Sequence, residues 1–180
     1  MYSASWALVS FWVSLRLASC SSSSFSASSN FFFASTSAVY GDKGSEVLTE
    51  TTGDLRPASY YGGCKLASEA LISSYVSMCD LNAVIFRFPN VIGPRLTHGV
   101  IFDFIKKLEA DNKHLQILGD GKQTKPYIYV SDLVDAIIRF SDGISKGVTL
   151  YNVGVEGATS VKRIADIICE EMGLKDVEYN

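Results

Sequence analysis

From residue 31 onward, the apolar positions of the chain follow two alternating spacings. Short, nearly continuous apolar runs predict strands, and longer segments with apolar residues every three or four positions predict helices. The predicted strands cover residues 31–34, 83–88, 115–118, 127–130 and 149–153. The predicted helices cover residues 62–78, residues 100–110, a segment capped by Ser131, and a last segment from Thr159 or Ser160 to Met172. Strands that alternate with helices indicate an α/β fold with a largely parallel sheet.

The first 30 residues differ in composition from the rest. Residues 6–17 are apolar, and residues 19–30 are dominated by serine. The apolar stretch is shorter than the roughly 20 residues of a membrane span. A signal peptide would need a basic residue ahead of its apolar stretch, but no Lys or Arg precedes Arg16. Residues 17–20 are similar to a lipoprotein cleavage site, which leaves export and anchoring at Cys20 as an alternative. We favour a non-homologous leader at residues 1–30 that is not part of the fold, followed by one domain at residues 31–180.

Length, charge and cysteine usage exclude several classes of protein. A chain of 180 residues is long enough for one domain with a sizeable core. The net charge of −3 gives no electrostatic reason to expect nucleic acid as a partner. The four cysteines lack the paired spacing of a zinc site or of a disulfide framework. We therefore expect no metal, no membrane partner and a reducing, cytoplasmic location.

Candidate chemistry lies at the end of the first predicted strand and at the start of the first long helix. Thr36 follows the strand, and in open α/β sheets ligands bind at the carboxyl ends of strands. Tyr61 and Lys65 are four residues apart, so on a helix they share one face. A positive charge close to a phenol favours the phenolate, which can accept a proton from a substrate hydroxyl.

Four ordered motifs surround these residues: STSAVYG at 35–41, YGGCK at 61–65, RFPNVIGP at 87–94 and GDGKQTKPYIYVSD at 119–132. With these motifs the chain resembles the extended short-chain dehydrogenase/reductase family. Within the family's NAD-dependent epimerases and dehydratases, it is most similar to the nucleotide-sugar epimerases of the UDP-glucose 4-epimerase type. The resemblance runs from about residue 31 to residue 180, and it implies a Rossmann-like parallel sheet, NAD as cofactor and a UDP-hexose as substrate.

The resemblance also implies roles for the first group of site residues. Thr36, Tyr61 and Lys65 correspond to the catalytic set, in which Tyr61 acts as general base or acid on the sugar hydroxyl. Lys65 would favour the phenolate and hydrogen-bond the nicotinamide ribose, and Thr36 would align the same substrate oxygen. Ser35 would lie near the nicotinamide.

The remaining site residues are assigned to the cofactor and to the nucleotide sugar. Phe88 lies where the family's backbone approaches the nicotinamide, and Asn90 matches the position that contacts the diphosphate. Val100 and Ile101 fall in the segment that closes over the nucleotide base. Lys125 occupies a position where the family usually has an arginine that reaches the diphosphate, and lysine keeps the charge without the bidentate fork.

The residues after Thr36 favour epimerisation over elimination. The family's 4,6-dehydratases usually have an Asp-Glu pair there, and the related decarboxylases usually keep the Glu. In this chain the two positions are Ser37 and Ala38, which cannot transfer those protons.

The cofactor-binding half of the family fold is not represented. The family's first strand and its Gly-x-x-Gly-x-x-Gly turn should precede residue 31, but no glycine precedes Gly41. We therefore expect a partial Rossmann-like sheet, with its N-terminal half missing, and part of the small substrate-binding subdomain. A fragment of an epimerase is the leading interpretation, and an inactive remnant or interaction module is the alternative. A homodimer is expected for the intact family fold.

Overall fold

A computed structural model of the protein describes residues 29–44, 46–79, 81–141 and 144–180. The described helices are α1 (Tyr60–Met78), α2 (Val100–Ala110), α3 (Val130–Ser141) and α4 (Val161–Glu171). The described strands are β1 (Ser29–Thr36), β2 (Leu81–Phe88), β3 (Asn90–Ile92), β4 (His114–Leu115), β5 (Thr124–Lys125), β6 (Tyr127–Tyr129), β7 (Val148–Asn152), β8 (Thr159–Ser160) and β9 (Glu178–Tyr179). A 3-10 turn at Ser37–Tyr40 follows β1.

The chain forms two compact units. Among the described residues, the first unit contains 29–87 and 140–152. Its sheet has the order β1-β2-β7, and β2 runs parallel to β7 with Ala83 opposite Val148 and Arg87 opposite Asn152. Residues 83–86 of β2 are all at most 1% exposed. A continuous buried run of this kind is typical of a parallel strand that is covered on both faces.

The second unit contains residues 88–139 and 153–180. Its strands form three short pairs: β3 with β6 and β4 with β9 are parallel, and β5 with β8 is antiparallel. Its apolar core is formed mainly by α2 and α4, with Leu115 from β4. The core residues are Phe104, Leu108, Leu115, Ile164, Ala165, Ile168 and Cys169. Parallel strand pairs in both units, with helices between the strands, confirm the predicted α/β class.

Most of the predicted elements are confirmed, with two corrections. The predicted strand at 115–118 is wrong beyond Leu115, because the paired residues of β4 and β9 end at Leu115 and Tyr179. Among the described residues, only one further backbone hydrogen bond follows beyond Leu115, from the amide of Ile117 to Asn180. Ser131 is not a helix cap, because β6 leads directly into α3 at Val130 and no loop residue separates them. Ser160, by contrast, caps α4 as predicted: its hydroxyl accepts a hydrogen bond from the amide of Arg163 at 3.1 Å.

The predicted leader falls almost entirely outside the described residues. Residues 1–28, including the alternative anchoring site at Cys20, are not among them. Ser29 and Asn30 belong to β1. The boundary at residue 30 stays a prediction.

Helix α1 packs closely against the 3-10 turn at Gly62. A Cβ atom at Gly62 would lie 2.7 Å from the carbonyl oxygen of Ala38 and 2.9 Å from Cβ of Pro57, whereas a Cβ at Gly63 would meet nothing within 4 Å. Gly62→Ala should therefore lower the free energy of unfolding by about 1–3 kcal/mol, because the neighbours must move. Gly63→Ala should raise it by up to about 1 kcal/mol, because alanine favours the helix. Urea unfolding of both variants tests this, and equal effects at the two positions would contradict it.

Candidate active site

The end of β1 carries two hydroxyl groups with little exposure. Ser35 is 0% exposed and Thr36 is 9% exposed. The Thr36 hydroxyl oxygen accepts a hydrogen bond from the amide of Ala38 at 3.2 Å and so caps the 3-10 turn. Because a hydroxyl both donates and accepts, this bond leaves the proton of Thr36 for another acceptor. A substrate oxygen at the strand end could use it.

Helix α1 brings Tyr61 and Lys65 together on one face. The helix is capped by Ser59, so both residues lie in its first two turns. Nζ of Lys65 donates a hydrogen bond to the carbonyl oxygen of Ala34 at 2.9 Å and lies 5.8 Å from the centroid of the Tyr61 ring. The Tyr61 side chain is 58% exposed, so a ligand can reach it. The structure thus ties Lys65 both to Tyr61 and to the end of β1.

The ammonium group of Lys65 lies in partly apolar surroundings. Its Nζ is 4.9 Å from the centroid of the Phe33 ring. Burial lowers the pKa of Lys65 below its ordinary value, because desolvation disfavours the charged form. Lys65 is therefore held in place by Ala34 in surroundings that make its charged form less favourable than it is in water.

This lowered pKa predicts a pH dependence of stability. Between the folded-state pKa of Lys65 and its higher value in the unfolded chain, the unfolded state binds more protons. The stability contributed at this position therefore rises with pH. Urea unfolding of the wild type and of Lys65→Met is measured from about pH 7 to about pH 10. As pH increases, the free energy of unfolding of the wild type should rise relative to that of the variant. A difference that stays constant, or that moves the other way, would contradict the lowered pKa.

A buried ion pair that the sequence analysis missed lies behind these residues. The Glu69 carboxylate accepts hydrogen bonds from Nε of Arg87 at 3.0 Å and from Nη2 of Arg87 at 2.6 Å. The hydroxyl of Ser35 donates a further hydrogen bond to Glu69. Glu69 is 5% exposed and Arg87 is 6% exposed. We call Ser35, Glu69 and Arg87 the buried triad.

The triad is connected to the ends of the other strands of the unit. The Arg87 guanidinium lies 4.8 Å from the centroid of the Tyr40 ring. The Tyr40 hydroxyl hydrogen-bonds Oδ1 of Asn152 at 2.7 Å and the carbonyl oxygen of Thr49 at 3.0 Å. Burial opposes the charge of Arg87, but the hydrogen bond and charge of Glu69, together with the contact to Tyr40, outweigh that effect, and the pKa of Arg87 is raised.

A signal for the ion pair was present in the sequence. Glu69 lies four residues after Lys65, on the helix face that carries Tyr61. Arg87 stands at the end of a continuous apolar strand, where a charged side chain needs a partner. Neither residue identifies its partner, because 18 positions separate them.

The predicted nucleotide-binding residues lie in or at the edge of the second unit. Asn90 is exposed, and its side-chain amide donates to the carbonyl oxygen of Pro126 at 3.3 Å, which places it beside the exposed Lys125. Val100 and Ile101 begin α2 and are half-buried against its core. Phe88 ends β2 and is half-buried. The structure therefore joins Asn90 to Pro126, the residue after Lys125, while the binding roles of all five residues stay predictions.

Two kinds of feature are absent from the described residues: metal-binding clusters and membrane-spanning helices. In the described ranges, no group of three or more His, Cys, Asp or Glu side chains is arranged to hold a metal ion. None of the helices in the part of the chain that the structure describes is long and apolar enough to cross a membrane.

Comparison with known proteins supports the predicted resemblance. The model of the NAD dependent epimerase/dehydratase family matches residues 9–154. The chain belongs to this family. The predicted family is thereby confirmed, and so is NAD dependence at the level of the family. The match begins ahead of residue 30, where we predicted the end of the leader.

Individual relatives share about a third of their aligned residues with this chain. It is 35% identical over 145 residues to an uncharacterized UDP-glucose epimerase of Bacillus subtilis, covering 81% of this chain and 45% of the relative. A crystal structure of a UDP-galactose 4-epimerase superposes with a TM-score of 0.73 at 36% identity, covering 84% of this chain and 50% of the other. The UDP-glucuronic acid 4-epimerase of Bacillus cereus, in complex with UDP-glucuronic acid and NAD, superposes with a TM-score of 0.74 at 29% identity, covering 84% and 48%.

These matches confirm the Rossmann-like class and a context of nucleotide-sugar chemistry. The chain spans about half the length of the curated relatives that it matches. The family is one of NAD-dependent epimerases and dehydratases that act on nucleotide sugars.

The donor groups at the end of β1 fit one end of such a cofactor. An ammonium group has three N–H donors, and the bond to Ala34 uses one of those of Lys65. The exposed phenol of Tyr61 and the hydroxyl of Thr36 lie on the two elements that Lys65 connects. This donor set suits the hydroxyl groups of a ribose and of a sugar.

Proposed function

We propose that this chain works as an NAD-dependent nucleotide-sugar epimerase that interconverts UDP-hexoses at C4. The observation that carries the proposal is the position of Lys65, which contacts the end of β1 through Ala34 and lies beside the exposed ring of Tyr61. That arrangement joins a proton acceptor, a cation and a strand-end hydroxyl on adjacent elements. The three residues also follow one another along the chain in the order in which the family's motifs carry them.

Each of these side chains has a step in the proposed reaction. NAD, when bound, supplies the hydride acceptor and donor at C4 of the sugar. Tyr61 takes the proton of the C4 hydroxyl and returns it after the keto-sugar has rotated to present its other face. Lys65 favours the phenolate by its charge. Its remaining N–H groups, which do not bond to Ala34, would hydrogen-bond the nicotinamide ribose. Thr36 donates its hydroxyl proton to the same sugar oxygen and so orients it, with Ser35 next to it in the strand.

The nucleotide part of the substrate is assigned to the second group of residues. We propose that Asn90 and Lys125 contact the diphosphate, and that Val100 and Ile101 contact the base. Phe88 would line the nicotinamide. Ser37 and Ala38 provide no carboxyl group for elimination, which favours a UDP-hexose 4-epimerase over a dehydratase or a decarboxylase.

The test is to incubate the purified 180-residue chain with UDP-galactose and NAD and to follow UDP-glucose by nuclear magnetic resonance. Interconversion by the wild type, and its loss in a Lys65→Met preparation that is still folded, would support the proposal. An absence of product, together with an absence of NAD reduction on addition of UDP-hexose, would refute it for this chain.

A second candidate is an interaction module without catalytic activity. Residues 1–40 contain no glycine, and the family holds the pyrophosphate of its cofactor on a glycine-rich turn, so NAD binding by this 180-residue chain has to be measured directly. Isothermal titration with NAD separates the two candidates. Micromolar binding favours the enzyme, and no binding at millimolar NAD favours the module. The expected homodimer and the expected cytoplasmic location stay predictions, and the mass of the purified chain by light scattering tests the first.

A further inference from the structure

Glu69 is a buried carboxylate on the candidate catalytic helix for which the proposed reaction has no use. Both of its oxygens are engaged: Arg87 binds the carboxylate through Nε and Nη2, and Ser35 donates to it from the end of β1. A well-packed apolar side chain in place of a buried ion pair is often neutral or stabilising. The presence of the triad therefore calls for an explanation other than stability.

The explanation lies in where Glu69 sits on α1. Tyr61, Lys65 and Glu69 follow one another at intervals of four residues, so they lie along one face of the helix. Lys65 contacts Ala34 and Glu69 contacts Ser35. Helix α1 is thus attached to neighbouring residues of β1 at two points one helical turn apart, which is about 5.4 Å of rise. Two such points fix both the rotation of the helix about its axis and its translation along that axis.

The second point of attachment is itself rigid. Arg87 occupies the end of β2 and is held between Glu69 and the ring of Tyr40. Tyr40 is bonded in turn to Asn152 at the end of β7. Glu69 is therefore held directly by groups on β1 and β2, and it is connected to β7 through Arg87 and Tyr40. A planar guanidinium that binds a carboxylate through two nitrogens also restricts the carboxylate's orientation.

We propose that Glu69 is a positioning residue that sets the place of Tyr61 and Lys65 relative to Thr36 through its contacts with Ser35 and Arg87. The kinetic part of this inference rests on the proposed function. Reacting groups work only when they are held within about 0.5 Å of the productive geometry, and side chains locked by further hydrogen bonds provide that precision. A displacement of the first turns of α1 would move Tyr61 and Lys65 together, away from the end of β1.

The test is Glu69→Gln in the full chain, with Glu109→Gln as the matched control. The glutamine keeps the shape of the side chain, and its carbonyl oxygen can still accept from Ser35 and from Nε of Arg87, but it carries no charge and places an amide nitrogen where Nη2 of Arg87 needs an acceptor. Glu109 makes the same kind of contact on the surface of α2, with Lys106 Nζ at 2.7 Å, and should be silent. For Glu69→Gln we expect kcat for UDP-hexose interconversion to fall about 10–100-fold. We expect KM to change less than threefold, because the residues assigned to the nucleotide are not displaced.

The second measurement is amide hydrogen exchange by mass spectrometry, which needs no activity. Glu69→Gln should exchange about tenfold faster in the first turns of α1 and at the end of β1, with β7 unchanged, because local opening then no longer has to break an ion pair. Ser35→Ala keeps the ion pair and should shift exchange at the same place by a few-fold, which covers the case in which Glu69→Gln does not fold. A uniform increase across the unit, or no change in either variant, would overturn the positioning role. If the wild type has no epimerase activity, the proposed function fails, and the exchange pattern alone decides the role of Glu69.

Discussion

Replacing Tyr61 by phenylalanine is expected to reduce interconversion of UDP-hexoses by roughly 10²–10⁴-fold, the usual contribution of a general acid or base. The phenyl ring keeps the contact with Nζ of Lys65, which is 5.8 Å from the ring centroid, and removes only the oxygen. Stability should change little, because the side chain is 58% exposed. Steady-state kinetics with UDP-galactose and urea unfolding of the same preparation measure the two effects separately.

The chain provides a matched control one residue away. Tyr60 is 92% exposed and lies in the same first turn of α1, but it points to a different side of the helix. Tyr60→Phe removes the same atom and should leave kcat within about twofold of the wild type. Equal losses in the two variants, or full activity of Tyr61→Phe, would exclude Tyr61 as the proton acceptor.

Replacing Arg87 by methionine is expected to lower the free energy of unfolding by about 3–5 kcal/mol, because it leaves the Glu69 carboxylate buried without its partner. Glu69 is 5% exposed, so water cannot take the place of the guanidinium without disrupting the sheet. The double variant Glu69→Met, Arg87→Met removes both charges and should recover most of the loss. Urea unfolding followed by circular dichroism gives the three free energies.

The control for this prediction is an ion pair with the same chemistry on the surface. Arg163 and Glu170 of α4 are joined by a hydrogen bond of 2.9 Å, and their side chains are 54% and 63% exposed. Arg163→Met should cost less than about 1 kcal/mol, since solvent screens an exposed pair. If Arg87→Met were as mild as Arg163→Met, the burial of the triad would be contradicted.

The pairing of Tyr61 with Lys65 could be predicted from the sequence because it depends on a local period. Four residues make about one helical turn, so the two side chains share a face wherever the helix lies. The cap of α4 at Ser160 is local in the same way, since its hydroxyl bonds to an amide three residues along the chain. The incorrect cap at Ser131 marks the limit of such signals, because the residue type was suitable but α3 already begins at Val130.

The family could also be predicted from the sequence, because the order and spacing of four motifs identify it without coordinates. The matches over residues 9–154 confirm that prediction. The roles of Thr36, Asn90, Val100, Ile101 and Lys125 follow from the same resemblance, and they stay predictions until the variants are measured.

By itself, then, the sequence determined the α/β class, the family and the helix face that carries Tyr61 and Lys65, since each depends on local periods or on the order of motifs. Only the tertiary structure decided what that face is attached to. Ser35 and Glu69 are 34 positions apart, and Glu69 and Arg87 are 18 apart. Contacts between residues so far apart in the sequence depend on how β1, α1 and β2 pack. Packing of this kind is the sum of many weak, non-directional apolar contacts, so no single residue pattern predicts which buried charge meets which.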